Sequence, residues 1–183
     1  PHLVHINGDE NVTFAVTDAS YAAVEDGDTV NYGDVLTLAI TAAAGYSAEV
    51  TANGVKVEAG NYTVTTGMDL TFNVVSTPLI YDLTVQVDAN TGVTVTRGGL
   101  VIATAAPAAS KTYTFKDLLT YGDEVQVIPI YAAGYEKNAL TVGGAAYTAG
   151  EDATVGAANV AVVATAKAMP RLTVDADKYT LVL

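Results

Sequence analysis

The sequence predicts an all-β protein made of two tandem, small, antiparallel β-sandwich or β-grasp-like repeat domains and a C-terminal extended strand. The first observation behind this is a repeat: Tyr32-Gly33-Asp34 returns as Tyr121-Gly122-Asp123, a spacing of 121 − 32 = 89 residues. The second is a set of short runs, such as 35–40 and 70–74, that alternate with the period of two of a half-buried strand. Because a repeat fixes domain organisation, it takes precedence over other patterns.

The repeat covers residues 32–75 and 121–164. Ala43-Ala44-Gly45-Tyr46 returns as Ala132-Ala133-Gly134-Tyr135, and single matches at the same spacing continue to the end of the block. No insertion or deletion is needed between these matches. We therefore expect the two copies to have equivalent strands and equal loop lengths.

Turn residues supply many of the matches. Asn53-Gly54 separates two β-rich runs and predicts a two-residue hairpin, because both turn residues must adopt positive φ. Gly143-Gly144 meets the same requirement in the second copy. Gly45 and Gly134 each precede a Tyr and predict a tight corner into a new strand.

Proline marks the predicted domain boundaries. Thr77-Pro78 predicts a junction, because Pro has no N–H to donate to a sheet, and Met169-Pro170 repeats the pattern. The predicted parts are a first domain at 1–77, a second domain at 78–169 and a C-terminal strand at 170–183.

Composition excludes several classes of protein. The 183 residues carry 20 Asp and Glu against 8 Lys and Arg, a formal net charge of −12, which argues against a nucleic-acid partner. Cys is absent, so disulfides and Cys-based metal sites are excluded. No apolar run approaches the roughly 18 residues of a membrane span. An acidic, Thr-rich composition favours an extracellular or cell-surface location, and a start at Pro1 agrees with removal of a signal peptide.

No pattern predicts catalysis. His2 and His5 have no neighbouring nucleophile or carboxylate cluster, so they are interpreted as strand residues. Asp26-Gly27-Asp28 offers oxygen ligands for calcium but lacks the spacing of an EF-hand loop, and an acidic turn is the favoured interpretation. We expect no enzymatic activity, no cofactor and no metal.

Four Tyr residues recur with the repeat, namely Tyr32, Tyr46, Tyr121 and Tyr135. We expect their rings to pack against the domain and their hydroxyls to lie at the surface. A carbohydrate-binding platform built from Tyr is the alternative.

The repeated block resembles two families of bacterial surface protein. The first copy, through Tyr32-Gly33-Asp34, Gly45-Tyr46, Asn53-Gly54-Val55 and Tyr62-Thr63-Val64-Thr65, resembles divergent internalin-type B-repeats. The second copy, through Tyr113-Thr114-Phe115-Lys116-Asp117-Leu118, Tyr121-Gly122-Asp123 and Gly134-Tyr135, is similar to prealbumin-like modules of Gram-positive pilins and adhesins. These resemblances imply a structural subunit of an extracellular filament or surface fibre. The alternative is an adhesin or carbohydrate-binding surface repeat, with a carbohydrate or a host surface as partner.

The C-terminal segment repeats the opening of the second domain. Leu172-Thr173-Val174 matches Leu83-Thr84-Val85 at 172 − 83 = 89. Subtracting 89 from 83 gives a position before residue 1, so the first domain is predicted to lack its first strand. A strand from another chain can fill such a position through main-chain hydrogen bonds.

We therefore predict a head-to-tail homopolymer, in which the C-terminal segment of one subunit completes the first domain of the next. Donor and acceptor lie at opposite ends of the chain, so repeating the contact gives an open filament. The predicted interface residues are Leu172, Val174, Tyr179, Leu181 and Leu183. The alternatives are a longer repeat array and a tail that folds back on its own chain.

Overall fold

The computed structural model describes residues 1–171. It divides into two compact units, one formed by Pro1–Ile80 with Gly156–Ala158, the other by Tyr81–Val155 with the described residues from Asn159 onward. The described residues form seventeen strands and no helix, so the structure is all-β. It follows that residues 1–171 contain no helix able to cross a membrane.

The first unit contains eight strands. They are β1 (His2–Asn7), β2 (Val12–Thr17), β3 (Thr29–Val30), β4 (Val35–Ala42), β5 (Tyr46–Ala52), β6 (Val55–Val57), β7 (Gly60–Thr63) and β8 (Leu70–Pro78). One sheet has the order β3-β1-β8-β5-β6 and the other β2-β4-β7. Side chains from both sheets share one core, so the unit is a β-sandwich.

The second unit contains nine strands. They are β9 (Ile80–Val87), β10 (Thr91–Arg97), β11 (Leu100–Ala105), β12 (Lys111–Thr120), β13 (Glu124–Tyr131), β14 (Tyr135–Val142), β15 (Ala145–Ala146), β16 (Asp152–Thr154) and β17 (Val160–Ala168). Its sheets have the orders β12-β9-β17-β14-β15 and β11-β10-β13-β16. They also enclose a single core, so the predicted pair of tandem β-sandwiches is confirmed.

In each unit the first and last strands are parallel neighbours. Val4 of β1 lies opposite Leu70 of β8, and Leu83 of β9 lies opposite Val160 of β17. This pair departs from the antiparallel arrangement that was predicted for the two domains. A period of two predicts a strand but says nothing about the direction of its neighbour.

The first domain therefore does not lack its first strand, and that prediction is wrong. The equivalent residues Val4 and Leu83 are separated by 83 − 4 = 79 residues, not 89. Between its second strand and β13, the second unit has 89 − 79 = 10 additional residues, in a segment that contains β11 and the long β12. The first unit has only a loop and the two-residue β3 there, so the spacing of the later repeat does not apply to the earlier strands.

The two copies also lose their common register. Buried Leu36 and Val125 keep the spacing of 125 − 36 = 89, but buried Val50 and Leu140 are 140 − 50 = 90 apart. A β-bulge between Lys137 and Ala139 of β14 inserts the extra residue. The predicted constant spacing and equal loop lengths are therefore wrong beyond this point.

The junction between the units lies later than predicted. Strand β8 continues through Pro78, which lies opposite Tyr46 of β5, so the boundary proposed after Thr77 falls inside a strand. Only Leu79 separates β8 from β9. Pro is tolerated there because it occupies the end of the strand.

The two cores are filled in different ways. In the first unit the ring of Phe72 lies 5.3 Å from that of Phe14 and 5.7 Å from that of Tyr62, linking the two sheets. The equivalent positions of the second unit hold smaller side chains: Val162, Val93 and Ala153. Its inserted strands add core side chains of their own, among them Ile102, Phe115, Leu118 and Leu119. The inserted strands therefore take part in the core of the second unit.

Candidate functional site

The five residues predicted to donate a strand, Leu172, Val174, Tyr179, Leu181 and Leu183, lie outside the described residues. The described residues place another feature at equivalent positions in both units. It is the pairing of the first and last strands, closed at each end by a side chain. We call this feature the terminal clasp: β1 with β8 in the first unit, and β9 with β17 in the second.

The strands of each terminal clasp pair over a short, regular register. In the first unit four residue pairs run from Val4 opposite Leu70 to Asn7 opposite Asn73. The side-chain amide of Asn7 also donates to the side-chain oxygen of Asn73, at 2.7 Å. In the second unit five pairs run from Leu83 opposite Val160 to Val87 opposite Ala164.

We call the end of the clasp at which the chain enters the unit its entry end, and the opposite end its exit end. The residue directly before the last strand closes the entry end of each clasp. The backbone N–H of Leu3 donates to Oδ1 of Asp69 at 2.9 Å. In the second unit the backbone N–H of Asp82 donates to Oδ1 of Asn159, also at 2.9 Å. A carboxylate and an amide thus do the same work, because each presents a carbonyl-like oxygen acceptor.

A carboxylate closes the exit end of the clasp in the first unit. Oδ1 of Asp9 accepts the N–H of Asn11 at 2.8 Å, which fixes the turn between β1 and β2. Oδ2 of Asp9 accepts the N–H of Ser76 of β8 at 2.8 Å, which ties that turn to the last strand.

Asp88 makes the same pair of contacts in the second unit. Its Oδ1 accepts the N–H of Asn90 at 2.9 Å, and its Oδ2 accepts the N–H of Ala166 of β17 at 2.7 Å. The sequence contained a signal for this role. Asp9-Glu10-Asn11 and Asp88-Ala89-Asn90 share an Asp-x-Asn pattern, but at a spacing of 88 − 9 = 79 that a search at 89 does not find.

The hydrogen bonds to Asp9 and Asp88 favour the charged form of both carboxyl groups. The backbone N–H groups of Asn11 and Ser76 lower the pKa of Asp9. Burial raises the pKa of Asp88, but the N–H groups of Ala166 and Asn90 outweigh it and the pKa is lowered overall. Both groups are therefore held as carboxylates, the form that accepts hydrogen bonds best.

The Tyr-Gly-Asp motif that identified the repeat is also structural. Oδ2 of Asp34 accepts the N–H of Asn31 at 2.7 Å. Gly33, at a φ of 89°, donates its N–H to the carbonyl of Val64 at 2.8 Å. In the second unit Asp123 accepts the N–H three residues before it in the same way. The motif fixes the start of β4 and of β13.

The recurring Tyr residues do not share one environment. Tyr46, Tyr121 and Tyr135 are half-buried, but the Tyr32 side chain is 70% exposed. The prediction that all four pack against the domain is therefore wrong for Tyr32. The preceding turn residues are equivalent, whereas the surfaces around the rings differ between the units.

The acidic turn lies beside the outer edge of β1. Oδ1 of Asp26 accepts the N–H of Ile6 at 2.8 Å, and Oδ2 of Asp28 accepts the N–H of Glu25 at 2.8 Å. Nδ1 of His5 lies 4.0 Å from the Asp26 carboxylate. Within residues 1–171, no three or more His, Cys, Asp or Glu side chains group as metal ligands would. These carboxylates serve the backbone of their own unit.

The predicted Asn53-Gly54 hairpin is confirmed, with φ of 47° and 82°. Asn53 also does something that the turn pattern did not predict. Its Oδ1 accepts the N–H of Thr71 at 2.7 Å, and its Nδ2 donates to the carbonyl of Asp69 at 3.1 Å. The side chain thereby attaches the hairpin to β8.

Replacing Asn53 with Gly is expected to lower the stability of the first unit by about 0.5 to 1.5 kcal/mol, because the N–H of Thr71 loses its protein acceptor at an exposed site. Gly keeps the positive φ, so the turn itself is retained. Thermal unfolding of the full protein measures the change, with Val55→Ala as an exposed control on the same hairpin. An unchanged melting temperature for Asn53→Gly would contradict a role for the side chain.

No protein-family model matches this chain. No curated protein matches it either. Among solved structures, it is similar to the major pilin protein (T-13) of Streptococcus pyogenes, with 11% sequence identity and a TM-score of 0.37. That similarity covers 91% of this chain and 95% of the pilin.

Proposed function

We propose that this protein is a structural segment of an extracellular surface fibre, built from β units that follow one another along the chain. The observation that carries the proposal is the repeated exit from each unit. The N–H of Leu79 donates to the carbonyl of Gly45 at 2.8 Å, and the N–H of Met169 donates to the carbonyl of Gly134 at 2.9 Å. The chain thus leaves both units through the same contact.

The sequence after each exit is also alike. Leu172-Thr173-Val174 matches Leu83-Thr84-Val85, the opening of β9. This sequence match supports a repeat array, in which the sequence that opens the second unit recurs after it. Donation of residues 172–183 to the first unit is not part of the proposal, because β1 already occupies the position beside β8.

The chemistry of the described side chains supports a structural role. The acidic side chains described above accept backbone N–H groups within turns and between strands, as Asp9, Asp26 and Asp88 do. The formal net charge of −12 favours a solvated, extracellular chain over one that binds nucleic acid.

One feature favours the alternative of a carbohydrate-binding surface module. Tyr21 is 87% exposed and has a φ of 64°, a conformation that costs a bulky residue energy without any packing in return. Tyr32, in the same unit, is 70% exposed. Exposed aromatic rings of this kind suit the apolar face of a sugar.

Immunogold electron microscopy of intact producing cells tests the proposal. We expect antibodies against residues 1–171 to label linear structures outside the cell. Label confined to the cell interior would overturn it. Glycan binding by the purified protein that is lost in Tyr21→Ala and Tyr32→Ala would favour the carbohydrate-binding alternative instead.

A further inference from the structure

We propose that each unit is a load-bearing element, in which tension along the chain is resisted by shear of the terminal clasp. The inference rests on the proposed function, because a fibre transmits tension from one unit to the next along the chain. It concerns the mechanical resistance of each unit taken separately. The property follows from which strands receive the load and how they are paired.

Tension enters and leaves each unit through the two strands of its clasp. The chain enters the first unit at β1 and leaves it at β8, and these strands are parallel neighbours. A pull on the two chain ends therefore draws β1 and β8 in opposite directions along their common axis. In the second unit β9 and β17 are related in the same way.

This arrangement loads the hydrogen bonds between the two strands together. In a parallel pair the bonds are spread evenly along the strands and lie across them. Sliding one strand past the other must disrupt all of them at once. Strands pulled apart from one end instead lose their bonds one at a time, so separation begins at a lower force. Resistance to pulling depends on the rate of unfolding under force. A clasp loaded in shear unfolds more slowly than one that is peeled apart from one end.

The side chains at the ends of the clasp prevent sliding from starting. At the entry end, Asp69 holds the N–H of Leu3. At the exit end, Asp9 holds the N–H of Ser76 of β8 while its other oxygen fixes the turn that follows β1. A shift of β1 along β8 breaks both contacts in addition to the ladder. The recurrence of both contacts in the second unit shows that they belong to the clasp.

The first unit is expected to yield before the second. Its clasp has four residue pairs against five in the second unit. On its outer side, β1 is flanked by the two-residue β3, whereas β9 is flanked by the ten-residue β12. Fewer bonds must therefore break at the same moment in the first unit.

Single-molecule force spectroscopy on the full protein tests the proposal by comparing two pulling directions. Because the chain has no Cys, introduced thiols give unique attachment points. Attachment at the two chain ends loads the clasp in shear. Attachment through Pro1→Cys and Met68→Cys peels β1 from β8, because both sites lie at the same end of the parallel pair. We expect a clearly higher unfolding force for the first unit when the chain ends are pulled.

A matched pair of substitutions tests the contribution of the exit-end carboxylate. Asp9 and Asp18 each accept the N–H of the residue two positions later, but only Asp9 also holds the last strand of its unit. We expect Asp9→Ala to lower the unfolding force of the first unit when the chain ends are pulled. Asp18→Ala should leave that force unchanged, although it removes a comparable turn contact.

Equal forces in the two pulling directions would overturn the proposal, and so would equal losses for Asp9→Ala and Asp18→Ala. A shear role predicts that Asp9→Ala has little effect on peeling, which begins at the other end of the clasp. A general loss of stability would lower both forces alike. The measurement uses the isolated protein, so a negative result would not contradict the proposed extracellular location. Immunogold label found only inside cells would contradict the proposed function but not the shear resistance of the clasp.

Discussion

In the Phe72→Ala variant, the first unit is expected to unfold at a temperature well below the unfolding temperature of the second unit. Phe72 is fully buried and its ring contacts Phe14 and Tyr62, which come from the opposite sheet. Removing it leaves a cavity that these two rings cannot fill without moving from their own positions. The expected cost is about 3 to 5 kcal/mol, the usual range for a buried Phe replaced by Ala.

Calorimetry of the full protein measures this change as a separate transition for each unit. Val75→Ala is the matched control, because Val75 lies on the same strand but is 56% exposed. The second unit should unfold at its original temperature, since its own buried residues form a separate core. If the first unit of Phe72→Ala unfolds at the same temperature as that of the wild type, the assignment of Phe72 as the link between the sheets is wrong.

Asp88→Asn is expected to destabilise the second unit by about 1 to 3 kcal/mol at neutral pH, because two backbone N–H groups lose a charged acceptor. The amide keeps the size of the side chain and one neutral acceptor, Oδ1, but its Nδ2 cannot accept, so only one of the N–H groups of Asn90 and Ala166 keeps a partner. Thermal unfolding measures the loss. Asp152→Asn is a control, because Asp152 accepts a hydrogen bond from the Gln126 side chain at the surface of the unit.

The same contacts predict that acid weakens the fold. The pKa values of Asp9 and Asp88 are lowered in the folded protein from the ordinary value of 3.8. Their stabilisation is therefore complete above pH 3.8 and is lost as the pH falls through the lower folded values. Asp88→Asn should remove part of this dependence from the second unit. An identical acid dependence in the variant and the wild type would contradict the assigned role of Asp88.

Local patterns predicted the strands and turns because those depend on nearby residues. The period of two located β4 and β8, and the demand for positive φ located the Asn53-Gly54 hairpin. The repeat predicted two related units correctly. It also gave the wrong starting point for the first unit, because the spacing between equivalent residues changes from 79 to 89 across the inserted strands.

The terminal clasp could not be predicted in this way. Its strands are separated by most of a unit, and no local feature of Val4 or Leu83 specifies a parallel partner near residue 70 or 160. The β14 bulge was hidden for a different reason. Matches between identical residues continued at the old spacing, as for Val74 and Val163, although the buried residue equivalent to Val74 is Ala164. Residues of the same type were therefore no longer at equivalent structural positions in the two units.

The contact between Asp26 and Ile6 has a consequence for how these molecules behave side by side. An exposed strand edge with free N–H groups recruits strands from neighbouring molecules and leads to aggregation. On β1, the N–H of Ile6 is held by Asp26 and that of Val4 by the carbonyl of Asp28. A strand that approaches this edge meets occupied donors and an acidic turn. Copies crowded together at high local concentration thus remain separate along this edge, and growth in the sideways direction is suppressed.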